Sequence, residues 1–152
     1  MKKFISILIL SFLFFNNVNA EDRKSELEKL FTQLKNAKDL SSALVAESKI
    51  AKIWSIHPSD DRRGFRLTEL LNQGSVLINR GELNKAYKLF TKIIAAESDW
   101  SEAWNKRATV LYLLGRYEQS QMDIDEVLKL EKRHFGALSG QGLVQTELKN
   151  YE

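Results

Sequence analysis

A chain of 152 residues, 43% hydrophobic and 28% charged, with one proline and seven glycines, has the make-up of a globular domain and not of a disordered or collagen-like one. The absence of cysteine removes disulfides, thiolate nucleophiles and Cys-based zinc or iron–sulfur sites, and a catalytic zinc would use up both histidines, His57 and His134, or fail for want of ligands. Lys and Arg number 23 against 20 Asp and Glu, but they fall in short pairs among acids (Arg62-Arg63, Lys106-Arg107, Lys132-Arg133), a distribution that excludes nucleic acid as the expected partner.

Residues 1–20 have the pattern of a cleaved signal peptide. Lys2 and Lys3 form a basic start, Phe4 to Phe15 is almost wholly apolar, and Val18-Asn19-Ala20 places small residues before a cut after Ala20. The apolar run is interrupted by Asn16-Asn17 before it reaches the roughly 20 residues that cross a bilayer. The expected location is therefore periplasmic or secreted, with no stable membrane insertion after cleavage. Without Lys2 and Lys3, 21 basic residues face 20 acidic ones, a net charge of +1.

Two amphipathic runs follow, Asp22 to Ala37 and Leu40 to Ile56, separated near Lys38-Asp39 and stopped by His57-Pro58. They predict a helical hairpin over 21–58, either a cap on the rest or a diverged repeat. The polar stretch Ser59 to Gly64 predicts a mobile loop, within a connection over 59–66.

From Leu67 onward the chain repeats itself at a step of 34 residues. Gly74, Ala108 and Gly142 are all small; Leu70, Trp104 and Leu138 are all large and apolar; Gly81 falls on Gly115, Ala86 on Ser120, Phe90 on Ile124, and Leu83 on Tyr117 and Tyr151. Each unit reads as two helices. Apolar residues recur with helical spacing from Leu67 to Arg80, Gly81 takes the left-handed turn, and a second run begins at Leu83. Asp99 with Glu102 reads as a capping box for the next first helix. The units span 67–100 and 101–134, and 135–152 is the first helix of a third, incomplete one. The apolar residues Leu138, Leu143, Val144 and Leu148 leave that last helix little polar face. Either the chain is a fragment of a longer reading frame, or this surface is buried by self-association.

This 34-residue helix–turn–helix unit resembles the tetratricopeptide repeat, whose pattern runs Trp-x2-Leu-Gly-x2-Tyr, then Ala-x3-Phe, then Pro. Trp104 to Leu111 reads W-x2-R-A-x2-L, Leu70 to Leu77 reads L-x2-Q-G-x2-L, and Ala86-x3-Phe90 matches the second element. Ser98 and Lys132 stand at the proline position, and Gln145 at the tyrosine position. The resemblance implies an all-α fold: an α-solenoid of antiparallel helical hairpins, a TPR-like superhelix with first helices on its concave side. It further implies a partner groove lined by Leu71, Ser75 and Ile78 from one repeat and Asn105, Thr109 and Tyr112 from the next. Leu71 and Ser75 stand where the first Lys and Asn of the family's carboxylate clamp would be, so that specialisation is not expected.

No catalytic residue, metal site or cofactor is expected. His57 and His134 read as turn or surface residues. No G-x-S-x-G elbow supports a serine triad, and Gly136, Gly140 and Gly142 follow no strand and precede no Lys, so they are no phosphate loop. Asp123 and Asp125, two apart on a helix, point to opposite sides. Trp54, Trp100 and Trp104 read as packing residues. The expected activity is that of a non-enzymatic adaptor or scaffold holding a protein or peptide partner, in the periplasm of a Gram-negative bacterium. The alternatives are a docking module of a longer protein, such as an enzyme, whose remainder lies beyond residue 152, and a membrane-anchored subunit of an envelope complex.

Overall fold

The computed structural model describes residues 21–149, so the expected signal peptide and the residues 150–152 lie outside it. Among the described residues every regular element is a helix. The chain divides into two units, Met1–Asp61 and Arg62–Glu152.

In the first unit, α1 is described over 21–35 and α2 runs from Leu40 to Trp54. The break between them lies where the Lys38-Asp39 pair predicts it. Asp39 is extended at φ −146°, and its carboxylate accepts the Ser42 backbone N–H at 2.8 Å, satisfying a donor that the helix start leaves open. The far end of α2 is closed from α1. The Arg23 guanidinium donates to the carbonyls of Ile53 at 2.6 Å and Ile56 at 3.0 Å. Leu30, Ala46, Ile50 and Trp54 are buried, and the Phe31 and Trp54 rings meet at 6.0 Å.

The second unit is an all-α solenoid of hairpins: α3 (Arg62–Asn79), α4 (Leu83–Ala96), α5 (Ser101–Leu113), α6 (Tyr117–Leu130) and α7 (Phe135–Lys149). Each helix packs on the next, and such short connections make neighbours antiparallel. The first helices also meet one another, α3 with α5 and α5 with α7, which lines them up along one side. Gly81 and Gly115, at φ 73° and 72°, close both hairpins identically. The N–H after each glycine donates to the carbonyl five residues back, Glu82 to Leu77 and Arg116 to Leu111, both at 2.9 Å, and each glycine N–H donates to the carbonyl of Ile78 or Tyr112 at 2.9 Å. This paired pattern needs a left-handed residue, which glycine supplies without a Cβ penalty.

The core forms two clusters in register with the repeat. Leu67, Leu71, Phe90, Ile93 and Val110 belong to the α3–α4–α5 junction, and Ala108, Ile124, Val127, Ala137 and Val144 to the α5–α6–α7 junction. A third tie joins the elements across both. Arg107 of α5 donates from Nε and Nη2 to the two carboxylate oxygens of Asp123 on α6, each at 2.8 Å, and from Nη1 to Thr91 of α4 at 3.2 Å. Its guanidinium also lies 5.0 Å from the Trp104 ring. Asp123 is thus turned inward and Asp125 is exposed, as their spacing on a helix requires.

Four sequence expectations are corrected. The connection expected over 59–66 is shorter, because α3 starts at Arg62, where Arg63 is bound to the Ala96 carbonyl at 2.6 Å and the Glu97 carboxylate at 2.9 Å. Those tertiary contacts order a first turn that its own residues do not specify. The expected Asp99–Glu102 capping box does not form: Trp100 occupies the cap position with no side-chain cap bond, and Glu102 is buried. His57 lies in a turn, accepting the Ser59 N–H at 3.1 Å, but is buried and not a surface residue. His134 is also buried and not a surface residue.

Candidate partner-binding groove

The helix starts on one side of the second unit are held by a buried polar group. His134 stands immediately before α7, 2% exposed, with its Nδ1 accepting the Ala137 backbone N–H at 3.3 Å. A ring nitrogen that accepts there leaves the proton on Nε2, which donates to Glu102 Oε2 at 3.0 Å. The same carboxylate takes the Asn105 Nδ2–H at 3.2 Å and, on Oε1, the Lys106 ammonium at 3.2 Å. Burial alone would push the Glu102 carboxyl up. The His134 hydrogen bond and the Lys106 charge outweigh it and hold the group below the ordinary carboxylate value. The cluster fastens α7 to α5 and fixes the direction of one amide. A carboxylate only accepts, so Asn105 must turn its NH2 toward Glu102 and its carbonyl oxygen away.

Beside this cluster lies a cleft of about 170 Å³ between α5, α6 and α7. Asn105, Thr109 and Tyr112 form the α5 wall, Ser139, Gly140 and Leu143 the α7 wall, and Ile124 the floor. No ionisable Asp, Glu, Lys, Arg or His side chain lines it. The Thr109 hydroxyl donates to the Asn105 carbonyl at 3.0 Å, and the Tyr112 ring leans on Tyr117 at 5.5 Å. A wider depression of about 640 Å³ over α1 is a single helix face with no second described element to close it.

Of the six groove residues expected from sequence, the structure therefore brings Asn105, Thr109 and Tyr112 together and not the other three. Leu71 is a correction: it is 1% exposed, a member of the core, because at its position the apolar side chain gains more by burial than in a groove. Ser75 is half-buried with its hydroxyl donating to the Leu71 carbonyl at 3.2 Å, and Ile78 packs on the first core cluster. Residues that the expectation missed are those of α7. The repeat step carries Leu71 to Asn105 and on to Ser139, and Ser75 to Thr109 and on to Leu143, so one more step of 34 reaches them. Nothing in the sequence signals Glu102 and His134, whose role depends on a contact across 32 residues. Among the described residues, no group of three or more His, Asp or Glu is placed to hold a metal ion.

No family model matches the chain. A TPR repeat-containing protein of Rhizobium etli is 32% identical over 127 residues, which is 84% of this chain and 60% of that protein. A tetratricopeptide repeat and J domain-containing co-chaperone of Fusarium oxysporum f. sp. lycopersici is 30% identical over 95 residues, 62% of this chain and 18% of its own length. An uncharacterized protein of Methanocaldococcus jannaschii is 35% identical over 54 residues, 36% of this chain. The chain thus spans less than two thirds of each of the first two relatives.

Proposed function

Because the chain belongs to the tetratricopeptide-repeat family, we propose that it is an exported, non-enzymatic adaptor that holds a segment of a protein partner in the α5–α6–α7 groove. Protein–protein interaction is the role that the relatives' repeats suggest, and the observation that carries the finer reading is the cleft. It is bounded by the first helices, uncharged, and rimmed by hydrogen-bonding side chains on a rigid scaffold. The repeat scaffold supplies the shape of such a handhold. Tyr112→Ala removes an aromatic wall of the cleft together with that ring's packing on Tyr117 and the second core cluster, so helicity is the control. Affinity-purified full chain should capture a partner from envelope extract with the wild-type groove and lose at least tenfold of it with Tyr112→Ala at unchanged helical circular dichroism. Equal capture by both would refute the groove assignment.

Export rests on the residue pattern of 1–20. Intact-mass measurement of protein made in a Gram-negative host should give a chain beginning at Glu21 in the periplasmic fraction; retention of the leader would favour the anchored envelope subunit instead. A second reading, favoured by the partial coverage of the relatives, makes these repeats the docking module of a longer protein. Reading the coding sequence downstream of codon 152 decides between them. Self-association through α7 has its own support, since Leu138 and Leu143 are 48% and 54% exposed. Concentration-dependent light scattering that Leu138→Glu abolishes is the result it requires.

A further inference from the structure

The two junctions of the second unit are built on one frame from different residues. At four repeat-equivalent positions the α5–α6–α7 junction carries the smaller side chain: Asn105 for Leu71, Ile124 for Phe90, Gly136 for Glu102 and Gly140 for Lys106. Phe90 is completely buried and fills the space over Gly74, where a Cβ would run into its ring. At Gly140 a Cβ would only touch Ile124, at 3.4 Å. The cleft therefore lies where Leu71, Phe90, Glu102 and Lys106 of the first junction give way to Asn105, Ile124, Gly136 and Gly140, although Ala108 is larger than its counterpart Gly74. Its size of about 170 Å³ compares with the roughly 150 Å³ that admits benzene in an engineered cavity of another protein.

The chemistry of the walls narrows what can fill it. An ionised group entering among uncharged walls would give up its hydration without a counter-charge, and the nearby Glu102 is already satisfied by Asn105, Lys106 and His134. The Asn105 carbonyl oxygen, turned away from Glu102, offers an acceptor at the rim. We propose that the cleft takes one uncharged apolar side chain, leucine- to phenylalanine-sized, from an extended partner segment whose backbone N–H is accepted by Asn105 Oδ1. Glu102 and His134 act as positioning residues for that amide. The inference rests on the groove reading above and names what the groove recognises: an internal apolar anchor, with neither a terminal carboxylate nor a basic side chain.

The test is a library of short random-sequence peptides, with free and with amidated C-termini, screened against the full chain. Captured peptides should share a Leu, Ile, Met or Phe at one position and bind equally well when amidated. Gly140→Leu, which fills the cleft, should weaken them about tenfold or more at unchanged helicity. Should that variant fold poorly, Asn105→Leu is the second filling, since the first junction accepts leucine at the equivalent Leu71. N-methylation of the peptide amide beside the anchor should cost wild type about fivefold to tenfold and cost Asn105→Ala nothing further. A charged or C-terminal-carboxylate consensus, full binding by both filled variants, or an N-methyl penalty that survives Asn105→Ala would overturn the inference while leaving the groove in place. A wild-type chain that captures no peptide sinks the groove reading itself.

Discussion

Glu102 shows how much one side chain can be asked to do when its neighbours are right. Leaving it buried and unpartnered would cost several kcal/mol. Instead its two oxygens accept from His134, Asn105 and Lys106, and those bonds keep the carboxyl ionised below its ordinary range. A carboxyl whose folded pKa is depressed contributes stability that is fully present above the unfolded value of about 4.3 and is lost as pH falls through the folded one. Glu102→Gln keeps the shape and removes the charge. It should melt below wild type near neutral pH, and the gap should close as the buffer is taken below about pH 4. Thermal melts across a pH series check this, and a gap that stays constant into acid would show that the charge contributes nothing. Arg107 and Asp123 follow the same logic from the other direction: a partly buried bidentate pair whose guanidinium also lies over the Trp104 ring, its geometry set by two helices and not by either alone.

At the scale of the helix, the repeat gives one position opposite meanings. Gly74 and Gly142 share a phase, yet the first faces the buried Phe90 ring and the second has nothing within 4 Å of where a Cβ would stand. Alanine favours a helix interior over glycine by about 1 kcal/mol, and forcing a methyl into a packed core costs about 1–3 kcal/mol. Gly142→Ala should therefore raise the melting temperature and Gly74→Ala lower it. Two shifts of the same sign would mean that Phe90 does not close the first junction as described. The turn glycines obey a third rule. Gly81 and Gly115 have open space around them, and it is their positive φ, not crowding, that keeps a side chain out.

Across the second unit, contacts run from neighbour to neighbour, so stability should be distributed and not all-or-none. Val144 anchors α7 to the second cluster at 1% exposure. Val144→Ala should cost about 2 kcal/mol locally and speed amide exchange in α7 more than tenfold, while α3 and α4 keep their protection. Uniform loss of protection from α3 to α7, measured by hydrogen exchange, would contradict a nearest-neighbour solenoid. The same locality explains how much of the architecture could be read in advance. Helix spans, the Asp39 break and the Gly81 and Gly115 turns follow from amphipathic phase, capping chemistry and left-handed φ, all of which act within a few residues. Helical phase likewise turns Asn105, Thr109 and Tyr112, expected from the family resemblance, to one side of α5, where they line one cleft.

What the amino-acid order determined by itself was the alternation of helices and tight turns at a 34-residue step, since those depend on the energetics of the local backbone. Tertiary structure alone decided which side chains went inside. Leu71 joined the core, Glu102 and His134 were buried together, and α3 gained a turn from Arg63, because each outcome depends on an atom from a residue more than 15 positions away. The cleft is the plainest case: smaller residues at four spaced positions become an opening only once α5, α6 and α7 pack at a separation that none of them sets alone.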